Sequence, residues 1–139
     1  MRVSVCRVAF ALAAVTFCTA SAQAQTYKFV RQWGTHGSGI GQLSWPTGLA
    51  LDRRGHIYVA ELDNDRIQRF YSDGTFLSTW GGSGSGVGQF DRPQGVAVDT
   101  SGNVYVTDWG SNRVEKFGPD GQFIGQWGSF GLDPGYFQH

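Results

Sequence analysis

The chain has 139 residues, among them 21 Gly, 10 Phe, 5 Trp and 5 Tyr, and its 11 basic residues balance 11 acidic ones. Only 16% of residues are charged and aromatics are plentiful, which excludes a globally disordered chain. The zero net charge, without a run of Lys or Arg, argues against a nucleic-acid partner. Abundant glycine and aromatic residues indicate short strands joined by tight turns.

The first 24 residues have the features of a secretory signal peptide. Arg2 and Arg7 give a positive start, an apolar run follows over 8–19, and Ala22-Gln23-Ala24 forms a cleavage pattern. The run is too short to span a membrane, and a buried N-terminal helix is the alternative. Cleavage after Ala24 would leave residues 25–139, a mature chain of 115 residues with net charge −2 and no cysteine. We therefore expect a secreted or periplasmic protein without a membrane span.

A repeat of 47 residues sets the architecture of the mature chain. Trp33, Trp80 and Trp127 are each followed by Gly and stand 47 residues apart. Residues 33–79 and 80–126 are identical at 19 of 47 positions without a gap. Repeats of about 40–50 residues with four strands each are typical of propeller blades.

Each repeat predicts four short strands. In the second repeat we expect them at 95–99, 103–107, 113–117 and 122–127, with turns at 100–102 and 119–121. No segment shows a sustained helical period, so no helix is expected in the mature chain. The fold class is therefore all-β: a β-propeller of four-stranded antiparallel blades, with blade one at 46–80 and blade two at 93–127.

The segments outside the two blades predict an incomplete ring. Residues 26–33 align with the fourth strand of a blade and predict an orphan outer strand, while 128–139 predicts the start of a third linker. Leu43, Phe90 and Phe137 recur at one position and are expected to plug the spaces between blades. Propellers close with about four to eight blades, so we expect a truncated copy of a longer chain. The alternative is a ring of three chains.

Remaining blades or self-association are thus needed to close the ring. Uncovered blade faces associate, and residues 25–139 alone are expected to be oligomeric or poorly soluble.

One motif resembles a known family. The pattern P-x-G-(L/V)-A-(L/V)-D-x-x-G-x-(I/V)-Y-V, then an acid, a polar loop, R-(I/V)-x-(R/K)-F, D-G-x-F and W-G, resembles the NHL repeat over residues 26–139. The resemblance implies a propeller, commonly six-bladed, that binds partners, here of the secreted or periplasmic bacterial type. The repeats depart in one loop: an asparagine stands two residues before Arg66, as Asn64, but one residue before Arg113, as Asn112.

Acid–arginine pairs recur in both repeats. Glu61 with Arg66, and Asp108 with Arg113, are expected to fix a hairpin loop through charge-assisted hydrogen bonds. Their recurrence indicates a structural role, because catalytic sites are usually unique. Asp52 and Asp99 end the first strand of each repeat before a glycine turn and are expected to bond the backbone there.

The sequence predicts no catalytic residue, cofactor or metal. Asp63-Asn64-Asp65 crowds oxygen side chains, but calcium needs six to eight oxygens from several segments, and the second repeat has Gly110-Ser111-Asn112 instead. A solvated polar loop is therefore expected. The three histidines lack metal-ligand spacing. The glycine-rich stretch 81–88 lacks the lysine of a phosphate-binding loop and is expected to be a flexible linker.

Four residues form a candidate partner-binding rim. In an up-and-down blade, the interblade linker and the loop between the second and third strands lie on the same rim. The linkers contribute Trp45 and Arg92, and the loops contribute Leu62 and Trp109. Exposed aromatics and arginine are typical interface anchors. The alternative is that Trp45 packs against Pro46 and Trp109 merely covers the rim.

Two function classes follow. We expect an exported scaffold that binds a protein, peptide or glycan. The alternative is a fragment of a propeller enzyme, of lyase or lactonase type, whose metal ligands lie in other blades. Metal-ligating side chains at the positions equivalent to Thr47 and Gln94 in other blades would favour the enzyme. RNA binding, known in some relatives of the family, is disfavoured by the signal peptide and the mature charge of −2.

Overall fold

The computed structural model describes residues 28–130, which contain two sheets and no helix. The chain from Gln32 onward forms one unit, and residues 28–31, which belong to a separate unit, form no strand. The first sheet comprises β1 (Pro46–Leu51), β2 (Ile57–Glu61), β3 (Arg66–Phe70) and β4 (Phe76–Gly81). The second comprises β5 (Pro93–Val98), β6 (Val104–Asp108), β7 (Arg113–Phe117) and β8 (Phe123–Trp127). These bounds agree with the predicted strands to within two residues.

Both sheets are antiparallel meanders with the same register. Each follows the order of its strands in the chain, β1 to β4 and β5 to β8. The register shifts after Pro46 in the first sheet and after Pro93 in the second. Proline has no N–H to donate to a ladder, and a bulge at the first residue of a strand accommodates it. The repeat in the sequence is therefore a repeat in three dimensions.

A cluster of apolar side chains joins the two sheets. Tyr58, Ala60 and Ile67 of the first sheet form one buried cluster with residues that precede or belong to the second. The second group consists of Phe90, Val104, Val106 and Phe117. Each of these seven side chains is at most 1% exposed, and full burial of such a side chain contributes about 1.5–3 kcal/mol. Phe90 is thus the plug that the sequence predicts. Leu43 packs in the same way against the other face of the first sheet.

The repeated tryptophan packs against the D-G turn that follows the third strand of the next blade. Trp80, at the end of the first sheet, lies against Gly121 in the turn between β7 and β8. A Cβ added to Gly121 would come within 2.6 Å of the indole ring, and the residue has φ +83°. Trp33 lies against Gly74 in the same manner. The W-G and D-G elements of the motif therefore meet across neighbouring repeats.

The two sheets do not close a ring. Tyr105 and Trp127 stand in blade two where blade one has Tyr58 and Trp80, and Trp127 is 49% exposed. The outer strand predicted at 26–33 is not observed in its described part, because residues 28–35 pair with no strand; a ladder requires a neighbouring strand. The predicted signal peptide, Phe137 and most of the third linker lie outside the described residues.

Candidate functional site

The four predicted rim residues lie on one rim, where linkers and loops are joined by backbone hydrogen bonds. The Leu62 N–H donates to the Trp45 carbonyl at 3.1 Å. The Arg92 N–H donates to Asp65 Oδ1 at 2.8 Å, which ties the second linker to the loop of blade one. The Gly110 N–H in the following loop donates to the Asp91 carbonyl at 2.8 Å. The rim is therefore continuous across both blades.

The rim contains all the left-handed backbone conformations of non-glycine residues in the described part of the chain. These residues are Trp45, Asp65, Arg92 and Asn112, with φ of 47°, 47°, 59° and 51°. Asp and Asn adopt this conformation comparatively easily. For Trp and Arg it costs about 1–2 kcal/mol each, and such backbone strain clusters at functional sites. Trp45 is nevertheless 68% exposed.

Arg92 and Trp109 form a stacked pair at this rim. The guanidinium carbon of Arg92 lies 4.3 Å from the centre of the Trp109 ring, within the range of a cation–π interaction. Arg92 Nε also donates to Asp91 Oδ1 at 3.0 Å. In blade one the equivalent positions are Trp45 and Leu62. The two blades therefore present different chemistry on the same backbone.

Both predicted acid–arginine pairs are present. Arg66 Nε donates to Glu61 Oε1 at 2.7 Å, and Arg113 Nε donates to Asp108 Oδ2 at 3.1 Å. Both carboxylates are fully buried. The remaining guanidinium donors bind carbonyls of the preceding linker: those of Ser38, Gly39 and Gln42 in blade one, and those of Ser85, Gly86 and Gln89 in blade two.

The glycine-rich linkers are therefore loops held in place by hydrogen bonds. This corrects the expectation from the sequence that 81–88 is a flexible linker. The Gly84 N–H donates to the Phe90 carbonyl, and the Phe90 N–H donates to the Gly82 carbonyl, each at 2.9 Å. Gln89 and Gln42 close the glycine turns through their side-chain oxygens. The signal that could have found this is the G-x-G-x-G-Q pattern, which both repeats share.

The displaced asparagine does not change the loop. Asp65 and Asn112 occupy equivalent positions with nearly equal φ, so both loops share one backbone conformation. Asn64 instead stabilises the loop through its side-chain amide, which donates to Glu61 Oε2 at 2.6 Å and to the Gly37 carbonyl at 3.1 Å. Asp63 accepts from Ser44 Oγ at 3.1 Å. Asp63 and Asp65 each accept a hydrogen bond from a linker residue, and in residues 28–130 no group of three His, Cys, Asp or Glu residues could hold a metal.

On the opposite rim, Asp52 and Asp99 close the first turn of each blade. Asp52 Oδ1 accepts from the N–H groups of Arg54 and His56 at 2.8 and 2.9 Å. Burial raises the pKa of Asp52, but hydrogen bonds from His56 and Arg54 outweigh this and lower the pKa overall. At Asp99 the side chain of Asn103 donates at 2.7 Å and lowers the pKa to about 2. The predicted backbone-bonding role is confirmed.

His56 lies between a carboxylate and a guanidinium. Its Nδ1 is 2.8 Å from Asp52 Oδ2 and 2.8 Å from Arg69 Nη2. Nδ1 cannot donate to one and accept from the other at once. Asn103 stands at the equivalent position and donates to its aspartate, so we assign the Nδ1 proton of His56 to the bond with Asp52. His56 is thus a turn residue here.

Arg69 links the two blades at this rim, a contact that sequence reasoning missed. Its side chain is 7% exposed, and Nη1 donates to the Pro119 carbonyl and to Asp120 Oδ1, each at 3.0 Å. A polar cleft of about 250 Å³ lies beside it, between the 52–54 turn and the 99–102 turn. The sequence shows the D-G turn that Arg69 contacts, but nothing in it indicates which arginine reaches this turn.

Two antiparallel four-stranded meanders, packed face to face in repeat register, define a pair of β-propeller blades. Residues 43–70 and 90–117 each match the model of the NHL repeat. In the described residues no helix has the length and apolar character to cross a membrane.

Curated relatives match over a single repeat. Protein lin-41 of Caenorhabditis elegans is 46% identical over 46 residues, which is 33% of this chain and 4% of the relative. The E3 ubiquitin-protein ligase TRIM71 of Rattus norvegicus is 43% identical over 47 residues, which is 34% of this chain and 6% of the relative. The chain therefore spans only a small part of the curated relatives it matches.

Solved structures share the fold at low identity. A putative exported protein from Bacteroides fragilis has a TM-score of 0.55 and 17% identity, and the match covers 68% of this chain and 27% of that one. A catalytically inactive virginiamycin B lyase from Staphylococcus aureus, solved with quinupristin, has a TM-score of 0.50 and 14% identity, covering 66% and 29%. These similarities establish the propeller fold alone.

Proposed function

We propose that this chain is an exported propeller segment that binds a protein, peptide or glycan through the rim of Trp45, Leu62, Arg92 and Trp109. The observation that carries the proposal is the backbone strain at Trp45 and Arg92. The strained conformation directs no side chain into the core, since Trp45 is 68% exposed and Arg92 is 48% exposed. Aromatic residues and arginine are also the side chains that dominate binding energy at interfaces.

Export and assembly belong to the same proposal. The signal-peptide features of residues 1–24 support secretion or transfer to a periplasm. The uncovered face of blade two supports completion of the ring by further blades or by other copies of the chain. The bacterial secreted type of NHL protein is part of this proposal. Similarity to a lyase at 14% identity supports no reaction for this chain.

The test uses capture of partners from an extracellular or periplasmic extract, followed by identification of what is retained. The double variant Trp45→Ala/Trp109→Ala should retain each bound partner at least about 30-fold less strongly, because anchor residues contribute about 2 kcal/mol or more. The matched control is Ile124→Ala, which removes a 53% exposed apolar side chain from β8. All three chains should give the same circular dichroism spectrum.

Unchanged capture by the double variant would show that the rim is not the binding surface. Peptide and glycan arrays then separate the partner classes: binding to either array should be lost in the double variant and kept in Ile124→Ala.

A further inference from the structure

Glu115, on β7, is a fully buried carboxyl group with one oxygen that lacks a partner. Its side chain is 0% exposed. Oε1 accepts from the Gly88 N–H at 3.2 Å and lies 3.4 Å from Arg113 Nη2. Oε2 is buried and has no hydrogen-bond partner. A buried ionised oxygen without a donor is strongly unfavourable.

Blade one shows what this position requires. Gln68 is the equivalent residue, and its Oε1 accepts from the Gly41 N–H at 3.0 Å, as Glu115 Oε1 does from Gly88. Gln68 Nε2 donates to the Gln42 carbonyl at 2.7 Å and to Glu61 Oε1 at 2.6 Å. The second polar atom of this side chain therefore faces two acceptors, and the position needs a donor.

We propose that Glu115 is protonated in the folded chain, and that its hydroxyl takes the role that one N–H of the Gln68 amide has in blade one. The hydroxyl has one proton, so its acceptor is one of the two groups equivalent to those in blade one, the Gln89 carbonyl or the Asp108 carboxylate. Protonation removes the unpaired buried charge and supplies the missing donor.

The charged groups that act on Glu115 are Asp108 on β6 and Arg113 on β7. Asp108 favours the protonated form through repulsion. Arg113 opposes it, but its donors are already directed to Asp108 and to three linker carbonyls. Opposite Glu115 on β8 stands the neutral Gln126. The linker contributes the Gly88 N–H.

The net effect of these surroundings on the pKa of Glu115 also favours the protonated form. Burial raises the pKa of Glu115, and this outweighs the Gly88 hydrogen bond and the Arg113 charge, which lower it. A folded-state pKa above the ordinary value means that the folded chain binds the proton more tightly than the unfolded chain. The associated stability is present below pH 4.5 and is lost as pH rises through the folded-state pKa.

Glu115 is therefore a proton-dependent clamp on the linker of blade two. Its partners Gly88 and Gln89 immediately precede Phe90, the plug of the interblade cluster. Ionisation would place an unpaired charge beside that plug. The linker of blade one has no such dependence, because Gln68 does not titrate.

The first experiment compares the full chain with Glu115→Gln over a range of pH. The two should be equally sensitive to urea below pH 4.5. Between pH 4.5 and the folded-state pKa, Glu115→Gln should gain about tenfold in its folding equilibrium constant relative to wild type for each pH unit, with no further gain above that pKa. The reciprocal variant, Gln68→Glu, should lose stability with rising pH in the same way, through blade one. A difference between wild type and Glu115→Gln that stays constant or shrinks with rising pH would overturn the proposal.

The second experiment needs no variant. Glu61 and Glu115 are the only glutamates of the chain, so selective ¹³C labelling of glutamate carboxyls gives two NMR signals. One of these two signals should remain at the acid position well above pH 4.5. Two carboxylate signals throughout would refute a protonated Glu115.

Discussion

Replacing Gly48 by alanine tests how closely the two blades meet at their first strands. Gly48 lies in β1, and a Cβ added there would come within 2.7 Å of the Gln94 carbonyl oxygen and 3.0 Å of the Val96 nitrogen. Both atoms belong to the backbone of β5, which its ladder with β6 holds in place. Thr47 Oγ1 marks the same close approach by donating to the Pro93 carbonyl at 3.0 Å.

The cost of Gly48→Ala comes from this contact alone, because Gly48 does not adopt a left-handed conformation. Overpacking a fixed neighbour costs about 1–3 kcal/mol. We therefore expect the free energy of unfolding to fall by about 2 kcal/mol and the Tm to fall by about 10 °C. Thermal unfolding followed by circular dichroism measures the shift.

Gly125→Ala is the matched control for this substitution. Gly125 lies in β8, and a Cβ added there meets no atom within 4 Å. The control should be neutral or slightly stabilising, because alanine restricts the unfolded chain more than glycine does. If Gly48→Ala and Gly125→Ala melt at the same temperature, β1 and β5 do not approach as closely as described.

Two further substitutions test the Asp108–Arg113 ion pair and the turn that Asp99 closes. Arg113→Ala should destabilise the chain by about 3–5 kcal/mol in urea unfolding, because it leaves the buried Asp108 carboxylate unpaired; an unchanged midpoint would contradict this pairing. Asp99→Asn tests the turn of blade two. Because the pKa of Asp99 is lowered, its carboxylate contributes stability above pH 3.8, and this stability is lost as the pH falls through about 2. The advantage of wild type over Asp99→Asn in urea should therefore shrink on acidification, and an advantage that does not shrink argues against the lowered pKa.

The strands and blades could be predicted from the sequence because the repeat supplies two aligned copies of each signal. Proline at the start of the first strand, the D-G turn and the apolar strands recur 47 residues apart. The acid–arginine pairs could be predicted for the same reason. Arg66 follows Glu61 by five positions, so local hairpin geometry was sufficient to bring them together.

The hydrogen bonds from Arg66 and Arg113 to the linker carbonyls and the interblade contacts could not be predicted, since they depend on distant segments. Arg66 holds the Ser38 carbonyl across 28 positions, and Arg69 reaches Asp120 across 51. Glycine-rich sequence indicates conformational freedom, but not which side chain will remove it. The signal peptide, the truncation and the rim function remain predictions.

Equivalent positions of the two blades can be compared with each other, and at the rim this comparison distinguishes what the fold requires from what differs between the blades. Where both repeats have a residue that tolerates a left-handed backbone, as with Asp65 and Asn112, the fold alone accounts for the choice. Trp45 and Arg92 share a strained conformation but no side-chain chemistry. Any backbone requirement at this position would be met with less strain by glycine or asparagine. Neither blade uses them, and this supports the proposal that Trp45 and Arg92 serve binding at the rim. If the proposal is right, Trp45→Gly should relieve the backbone strain and still weaken capture of partners.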